Sequence, residues 1–242
     1  VIRHKVGVKE FADEFYRVVE ELNPQVPLAL HLDHTKTMDV IKEAIEAGFT
    51  SVMIDASEKE FEDNVAITKE VVEIAHPKNV TVEAELGKIG TTDFVETDTD
   101  EEMYTIPEEA AEFCKETHVD ALAVSVGTAH GVYTVRQPKV DYERLEKINK
   151  LTDTPLVLHG GSGVPSKMVV SAVRIPTGGV SKVNIATDLE LAMLAVVGRE
   201  GHMTEAELNS CSDEMIEKSR KAVQALVEDK IKNYLMSENQ AV

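Results

Sequence analysis

The stretch Pro155-Leu-Val-Leu-His159-Gly-Gly-Ser-Gly163 joins a short apolar run to a histidine and a glycine-rich turn. Two other apolar runs, at residues 26–34 and 121–130, also end at a histidine. Short apolar runs are typical of buried parallel strands, and in α/β folds the reactive groups gather where those strands end. Three imidazoles that converge at such an edge predict an open zinc site. The predicted ligands are His34, His130 and His159.

Length and charge limit the class of protein. The chain has 242 residues, of which 43% are apolar, and this is enough to bury one large core. We therefore expect a single domain over residues 1–242. The formal net charge of −19 argues against nucleic acid or an anionic membrane as the main partner. An anionic substrate would have to be held by local hydrogen-bond donors rather than by the overall charge.

The two cysteines, Cys114 and Cys211, lie far apart in the chain. They indicate neither a disulfide framework nor a thiolate metal motif, so we expect a reducing compartment and a cytoplasmic protein. No apolar run approaches the length of about 18 residues that a membrane span needs. We therefore expect no membrane partner.

Apolar runs of strand length alternate with amphipathic helical patterns along the chain. The order strand, helix, strand, helix is the sequence form of a parallel sheet with right-handed crossovers. The predicted strands are residues 26–32, 51–56, 80–86, 121–127, 155–158 and 180–186. The predicted helices are residues 8–22, 37–47, 61–75, 107–117, 141–151, 165–173, 188–197 and 213–235.

Six strands are two fewer than the eight of a TIM (β/α)8 barrel. Residues 1–2 could be the end of a seventh strand, and one further strand–helix unit would complete the eight. We therefore predict an α/β barrel whose first strand–helix unit is missing from this chain, with a C-terminal helical extension over about residues 204–242. The acidic segment 93–102 has no apolar periodicity and is predicted to be a long loop.

Acidic side chains accompany the histidines. Glu83 and Glu85 alternate with small or apolar residues in a predicted strand, so both side chains point to one face. If helices cover the other face, both acids enter the core, where they need an ion pair or a metal; on an edge strand they would face solvent. Asp33 directly precedes His34 and could serve in catalysis or only as a turn residue. A lone histidine at a strand end can likewise be purely structural.

The glycine-rich turns predict an anion site. Such turns between a strand and a helix let backbone N–H groups approach an anion, and the dipole of the next helix favours negative charge. Residues 159–163 are therefore predicted to cradle a phosphate beside a metal ligand, although a Gly-Gly-Ser turn can also serve only to reverse the chain. Residues 182–188 support the phosphate prediction, because (β/α)8 barrels commonly bind phosphate between the loops after their last two strands.

Seven motifs occur in order between residue 26 and about residue 191. They are His-Leu-Asp-His (31–34), Val-Met-Ile-Asp (52–55), Glu-Ala-Glu-Leu-Gly (83–87), Gly-Thr-Ala-His-Gly (127–131), Gln-Pro-Lys-Val-Asp (137–141), His-Gly-Gly-Ser-Gly-Val-Pro (159–165) and Lys-Val-Asn-Ile-Ala-Thr-Asp (182–188). This series resembles the class II, zinc-dependent ketose-bisphosphate aldolases, the family that contains fructose-1,6-bisphosphate and tagatose-1,6-bisphosphate aldolases.

The resemblance implies a lyase that cleaves a ketose 1,6-bisphosphate reversibly into dihydroxyacetone phosphate and glyceraldehyde 3-phosphate. It implies that the three histidines hold one catalytic zinc ion, that Glu85 can approach the metal, and that Asp33 transfers a proton at the hydroxyl beside the scissile bond. A second acid, for which Asp93 is the candidate, would protonate the enediolate. The implied binding residues for the dihydroxyacetone phosphate half are Gly131, Gly160, Gly161, Ser162, Asn184, Ile185, Ala186 and Thr187.

The family also suggests a homodimer or homotetramer and a second divalent or a monovalent cation near the zinc. Three segments depart from its pattern. The first strand, the first helix and most of a second strand are absent; Gly90-Thr-Thr-Asp-Phe94 replaces a Gly-Gly pair followed by Glu-Asp; and residues 172–179 are altered. Either sugar fits the motifs. The open alternatives are another phosphorylated ketose, a catalytically impaired phosphate- or metal-binding relative, and a metal-dependent barrel hydrolase.

Overall fold

A computed structural model of the chain describes residues 6–89, 103–133 and 137–240. Within these ranges six parallel strands form one sheet, and strands that are neighbours in the sequence are neighbours in the sheet. The strands are β1 His31–Thr35, β2 Ser51–Ile54, β3 Thr81–Leu86, β4 Ala121–Val124, β5 Leu156–Leu158 and β6 Val180–Val183. The helices are α1 Val8–Leu22, α2 Met38–Glu46, α3 Phe61–Ala75, α4 Pro107–Thr117, α5 Tyr142–Leu151, α6 Ser166–Val173, α7 Thr187–Val197, α8 Glu205–Asn209 and α9 Asp213–Asp229.

Helices connect the successive strands, so the sheet is the parallel α/β sheet that the alternating pattern predicts. It curls into half of a barrel. A 3₁₀ helix, His76–Lys78, follows α3, and a turn of π-helix, Lys230–Tyr234, follows α9. Residues 1–2 and 93–102, on which the seventh strand and the long loop were predicted, lie outside the described residues.

The predicted strand at residues 26–32 is wrong in its position, because β1 spans His31–Thr35. Pairing with the β2 segment begins at the carbonyl of Leu30, which accepts from the amides of Thr50 and Ser51. Pro27 has no N–H to donate to a ladder, and the Val26 side chain beside it is half exposed. The apolar run at residues 26–30 is therefore an approach to the strand and not part of it.

The two faces of the sheet carry different side chains. In β3, Val82, Ala84 and Leu86 belong to the large apolar core between the sheet and the helices. The alternate residues of the sheet, among them Met53, Ala123 and Val157, form a small separate cluster on the concave face. Because side chains alternate along a strand, Glu83 and Glu85 also point to this concave face, and both are buried. The prediction that the two acids share one face and leave the other to the helices is confirmed.

The altered segment 172–179 forms a helix end and a tight turn into β6. Helix α6 ends at Val173, and Gly179 has a positive φ of 62°. A Cβ atom at Gly179 would lie 2.3 Å from the carbonyl oxygen of Ala172, so the close approach of the two backbones requires glycine. After this turn the chain enters β6, which pairs in parallel with β5.

Candidate metal centre and phosphate-binding loop

Three histidines meet at the carboxyl edge of the sheet. His34 lies in β1, His159 directly follows β5, and His130 lies in the loop after β4. Their ring centroids are separated by 4.9 Å (34 to 130), 4.6 Å (34 to 159) and 5.7 Å (130 to 159). One nitrogen of each ring lies within 4.8 Å of the other two. Since Zn–N bonds are about 2.0–2.1 Å long, a shared ion requires only small movements of the rings.

The backbone of β1 explains how His34 reaches this cluster. The register between β1 and β2 shifts between Leu32 and Thr35, and His34 adopts a left-handed φ of 46°. Residues other than glycine rarely take this conformation, and such strain is concentrated at functional sites. The bend brings both Asp33 and His34 to the rim of the sheet, where an undistorted strand would send them to opposite faces.

Two carboxylates orient two of the rings. His34 Nδ1 lies 3.2 Å from Asp55 Oδ2, and His159 Nε2 lies 2.9 Å from Glu83 Oε1. The remaining nitrogens, His34 Nε2 and His159 Nδ1, are buried and have no hydrogen-bond partner in the described part of the chain. Histidine that binds a metal through one nitrogen usually donates the other N–H to a carboxylate. The residues present therefore fit a metal ion.

Asn184 limits the assignment of the His159 tautomer. Its Nδ2 lies 3.0 Å from His159 Nε2 and 2.9 Å from Asp33 Oδ1. If Nδ1 faces the metal, Nε2 carries the proton and donates it to Glu83, so it cannot also accept from Asn184. The Asn184 amide then donates to Asp33, and this bond holds the carboxylate beside the histidine cluster.

Glu85 lies against the cluster as well. Its Oε1 accepts from Ser57 Oγ at 3.1 Å, whereas its Oε2 has no hydrogen bond within the described ranges and lies 3.4 Å from His159 Nδ1. Burial, together with the charge of Asp55, raises the pKa of Glu85 to about 8. A cation in the cluster would reverse that preference and favour the carboxylate form. Glu85 is thus placed to act as an additional ligand.

The other ionisable groups show different effects of burial. Burial and the neighbouring His34 lower the pKa of His130 to about 4, so its ring is neutral near pH 7, as a metal ligand requires. Burial of Glu83 opposes its ionisation, but the hydrogen bond with His159 and the charge of Lys182 lower its pKa to about 2. Glu83 is therefore a permanent carboxylate, fixed between the His159 ring and Lys182 Nζ at 2.8 Å.

A cavity of about 310 Å³ opens onto the histidine cluster. Its lining residues are His34, Lys36, Asp55, Ser57, Glu58, Glu85, Lys88, Ile89 and His130. A larger depression, of about 930 Å³, lies at the opposite edge of the sheet beside Cys114 and Pro155, and none of the three histidines lines it. The chemistry of the donor groups, and not the size of the cavity, makes the histidine end the candidate functional site.

The glycine-rich turn after His159 is held tightly against its neighbours. Gly160 has a φ of 64°, and a Cβ atom there would lie 2.5 Å from the carbonyl oxygen of Ala129. A Cβ atom at Gly161 would lie 2.8 Å from the carbonyl oxygen of Asn184. Both positions therefore require glycine, because any larger residue would push apart the loops that follow β4, β5 and β6.

The turn and the start of α7 form one unit. The Gly161 amide donates to the Asn184 carbonyl at 3.0 Å, and the Asp188 amide donates to Ser162 Oγ at 3.1 Å. Ile185 and Ala186 link Asn184 to α7, which begins at Thr187. The structure thus brings the predicted phosphate residues of the two segments together at a helix N-terminus. Gly131, with a φ of 115°, directly follows the candidate ligand His130 on the neighbouring loop.

Comparisons with known proteins agree with this site. The sequence model described as fructose-bisphosphate aldolase class-II matches residues 2–240. A fructose-bisphosphate aldolase of Staphylococcus aureus (strain COL) is 40% identical over 237 residues, which cover 94% of this chain and 80% of that protein. The chain belongs to the class II fructose-bisphosphate aldolase family. The resemblance found in the sequence motifs is therefore confirmed.

Solved structures support the same family. The YdjI aldolase from Escherichia coli K12 superposes with a TM-score of 0.80 at 32% identity, covering 98% of this chain and 80% of that chain. A putative fructose-1,6-biphosphate aldolase from Coccidioides immitis gives a TM-score of 0.77 at 30% identity, with coverages of 96% and 80%. Membership of the class II aldolase family implies a lyase that acts on a phosphorylated sugar and that is generally metal-dependent.

Two residues of the candidate site, Asp55 and Lys182, have no individual role in the sequence-based prediction. Asp55 ends the β2 run just as His159 ends β5, so the same strand-end argument could have identified it. Lys182 belongs to the predicted phosphate segment 182–188, and its ion pair with Glu83 could be predicted only by knowing which strands curl toward each other. Asp93, the predicted second acid, lies outside the described residues.

No helix in the described part of the chain is long and apolar enough to cross a membrane.

Proposed function

We propose that this chain is a zinc-dependent aldolase that cleaves fructose or tagatose 1,6-bisphosphate reversibly into dihydroxyacetone phosphate and glyceraldehyde 3-phosphate. The observation that carries the proposal is that His34 and His159, whose ring centroids are 4.6 Å apart beside a glycine-rich turn, each keep one buried nitrogen with no hydrogen-bond partner among the described residues. One proposed metal ligand, His159, and the proposed phosphate cradle thus share one short segment, residues 159–163. A substrate phosphate in the cradle would place the rest of the sugar beside the metal.

The proposed zinc ligands are His34, His130 and His159, with Glu85 able to approach the ion. When bound, the ion would act as a Lewis acid that stabilises negative charge on substrate oxygen as the bond between carbons 3 and 4 breaks. Three protein ligands would leave a position open for the substrate. The cluster of His34, Asp55 and Glu85, whose ligand atoms also lie within 4.8 Å of one another, supports the proposal of a second cation nearby.

Asp33 is the proposed base for the C4 hydroxyl. Its side chain is 49% exposed and is fixed by the hydrogen bond from Asn184, so it can reach a substrate and hold one orientation. Accepting the hydroxyl proton allows the aldehyde to form as the carbon–carbon bond breaks. Asp93 is the proposed acid that returns a proton to the carbanion carbon of the dihydroxyacetone phosphate half.

The proposed binding residues for the dihydroxyacetone phosphate half are Gly131, Gly160, Gly161, Ser162 and residues 184–187, with the phosphate itself at the glycine-rich turn and the start of α7. A helix N-terminus and successive backbone N–H groups stabilise an anion without a basic side chain, and this suits a protein with a strongly negative overall charge. The contact between the Asp188 amide and Ser162 Oγ supports the proposal, because it fixes the hydroxyl at the start of α7.

We also propose that residues 1–242 form one aldolase barrel domain, with residues 204–242 as a C-terminal extension. The likeness to the aldolase structures supports the proposal that the six described strands belong to an eight-stranded (β/α)8 barrel. A homodimer or homotetramer and a cytoplasmic location stay predictions. Sedimentation analysis of the purified protein would determine the oligomeric state.

A coupled assay with both sugars tests the proposed reaction. Chelator-treated protein should cleave neither fructose nor tagatose 1,6-bisphosphate, and added Zn²⁺ should restore cleavage of at least one of them. The two sugars differ only at carbon 4, so the ratio of their kcat/KM values reports the stereochemical preference. Zinc binding without cleavage of either sugar would refute the proposed substrates. Cleavage that survives complete removal of the metal would refute the proposed zinc dependence.

A further inference from the structure

The C-terminal end of the chain contacts the phosphate-binding loop. After α9 the helix widens into the π-helical turn Lys230–Tyr234, and this turn packs against α6. Single π-helical turns are uncommon and are often found at functional sites. The turn lies far in sequence from the loop 160–163, but one of its polar side chains contacts that loop and a second contacts Asp188 in the first turn of α7.

The first contact is made by Tyr234. Its ring lies within the large apolar core and is only 2% exposed, and its hydroxyl donates a hydrogen bond to the carbonyl oxygen of Gly161. Burial, with the negative charge of Asp188, raises the pKa of Tyr234, so the hydroxyl keeps its proton and remains a donor. The hydrogen bond from Tyr234 therefore fixes the orientation of one peptide group of the loop, the one between Gly161 and Ser162.

That peptide group also includes the amide of Ser162. The peptide bond is planar and trans, so the Gly161 carbonyl and the Ser162 N–H point in opposite directions. A carbonyl held toward Tyr234 turns the Ser162 N–H away from the C-terminal turn. The Gly161 amide is held by the Asn184 carbonyl at 3.0 Å, but without the tyrosine hydroxyl the Gly161 carbonyl would keep only the long contact from the Val164 amide, at 3.4 Å. The Gly161–Ser162 peptide could then rotate more freely, since glycine has no Cβ to restrain it.

The second contact is made by Lys230. Its Nζ lies 2.6 Å from Asp188 Oδ2, and the same carboxylate oxygen accepts from the Gly163 amide at 3.3 Å. Asp188 lies in the first turn of α7, beside the proposed phosphate, where an unpaired carboxylate would repel the anion. The ammonium group also lies 4.1 Å from the centre of the Tyr234 ring, so the two C-terminal side chains support each other.

We propose that Tyr234 is a positioning residue for the substrate phosphate: through the Gly161 carbonyl it fixes the peptide that presents the Ser162 N–H to the anion, while Lys230 neutralises Asp188. The inference deepens the proposed function, because it rests on the phosphate site of that function. It assigns the C-terminal extension a part in substrate binding without any contact to the reacting atoms.

The test compares Tyr234→Phe with Tyr16→Phe. The Tyr16 hydroxyl likewise donates to a glycine carbonyl, that of Gly48, but lies on α1 away from the site. Calorimetry with inorganic phosphate, done well below the thermal midpoint of each protein, should give a Kd that rises about 2- to 10-fold in Tyr234→Phe and stays at the wild-type value in Tyr16→Phe. The Kd for Zn²⁺ should remain at the wild-type value in both variants.

Enzyme kinetics distinguish a specific effect on phosphate binding from a general loss of order in the site. In Tyr234→Phe the KM for the bisphosphate substrate should rise by more than kcat falls, and Lys230→Met should show the same pattern because it exposes the phosphate to an unpaired Asp188. If zinc and phosphate affinities fall together in Tyr234→Phe, the hydroxyl has only a general structural role and the proposal is refuted.

The phosphate measurement also distinguishes this inference from the proposed reaction. If the wild-type protein cleaves neither sugar and Tyr234→Phe still weakens phosphate binding, the reaction is wrong and the positioning role stands. If phosphate binds equally to wild type, Tyr234→Phe and Tyr16→Phe, the positioning role is refuted even for an active aldolase. A wild-type protein that binds no phosphate refutes it as well.

Discussion

Replacing Glu83 with glutamine should weaken zinc binding without removing a single metal ligand. Both carboxylate oxygens of Glu83 are used: Oε1 lies 2.9 Å from His159 Nε2 and Oε2 lies 2.8 Å from Lys182 Nζ. Both partners are donors when Nδ1 of His159 faces the metal. A glutamine has the same shape but only one accepting oxygen, so its NH₂ group must face one of the two donors. At 2% exposure no solvent can relieve that conflict.

The size of the effect follows from these contacts. Loss of a carboxylate that orients a metal-binding histidine typically weakens metal affinity about 10- to 100-fold, which corresponds to roughly 1.4–2.7 kcal/mol. The loss of one charge-assisted hydrogen bond, worth about 1.5–3 kcal/mol, gives a similar figure. We therefore expect a zinc Kd about 10- to 100-fold higher for Glu83→Gln. Activity at saturating zinc should fall less than the affinity does.

Competition with a chromophoric chelator would measure the zinc Kd. The matched control is Glu58→Gln: Glu58 also pairs with a lysine, Lys36, at 2.9 Å and lines the same cavity, but its side chain is 73% exposed and contacts no histidine. We expect the control to bind zinc within about 2-fold of wild type, because exposed ion pairs contribute little. A Glu83→Gln protein with the same zinc Kd as Glu58→Gln would show that the carboxylate does not orient His159 for a metal.

Three further predictions concern the site. Replacing His34, His130 or His159 with alanine should lower zinc content, by elemental analysis, and activity together; full occupancy in all three variants would exclude the three-histidine site. Asp33→Asn should keep zinc and dihydroxyacetone phosphate binding but cut turnover at least ~10²-fold, and near-normal turnover would remove Asp33 from the mechanism. In metal-free protein the pKa of Glu85 is raised to about 8, so between about pH 5 and pH 8 the folded state keeps the Glu85 proton that the unfolded state has lost. The contribution of Glu85 to the free energy of unfolding therefore falls as the pH rises through that range. The free energy of urea unfolding should therefore fall more steeply over that range in wild type than in Glu85→Gln, and parallel pH curves would contradict the shift.

Local sequence patterns were enough to predict the strands that end at the site. The run before His159 is apolar, short and followed by glycines, and β5 occurs there because both faces of this central strand are buried. The same logic failed by several residues at β1. An apolar run reports burial or contact in general, whereas the start of a strand is set by the ladder, which here begins only after Pro27 and at the carbonyl of Leu30.

Local sequence patterns do not predict contacts between segments that lie far apart in the chain. Tyr234 meets Gly161 across 73 residues of chain, and Lys182 meets Glu83 across 99. Nothing in the amphipathic pattern of residues 213–235 distinguishes a helix that packs back onto the barrel from one that faces another subunit. The π-helical turn changes the angular position of the last side chains around the helix axis, and Tyr234 points inward as a result. A periodicity of 3.6 residues per turn does not predict this change.

Asn184 shows why the metal centre and the phosphate loop behave as one site. The family resemblance assigned this residue to the dihydroxyacetone phosphate half of the substrate, in the segment that follows the cradle. In the structure its carbonyl accepts from the Gly161 amide and its side chain donates to Asp33, so one residue contacts both the cradle and the proposed base. A movement of the loop would therefore reach the carboxylate through the backbone carbonyl and the side-chain amide of this one residue. Because catalysis depends on the position of the base to within a fraction of an ångström, we expect an anion bound at the proposed cradle to align Asp33, the proposed base, for proton transfer.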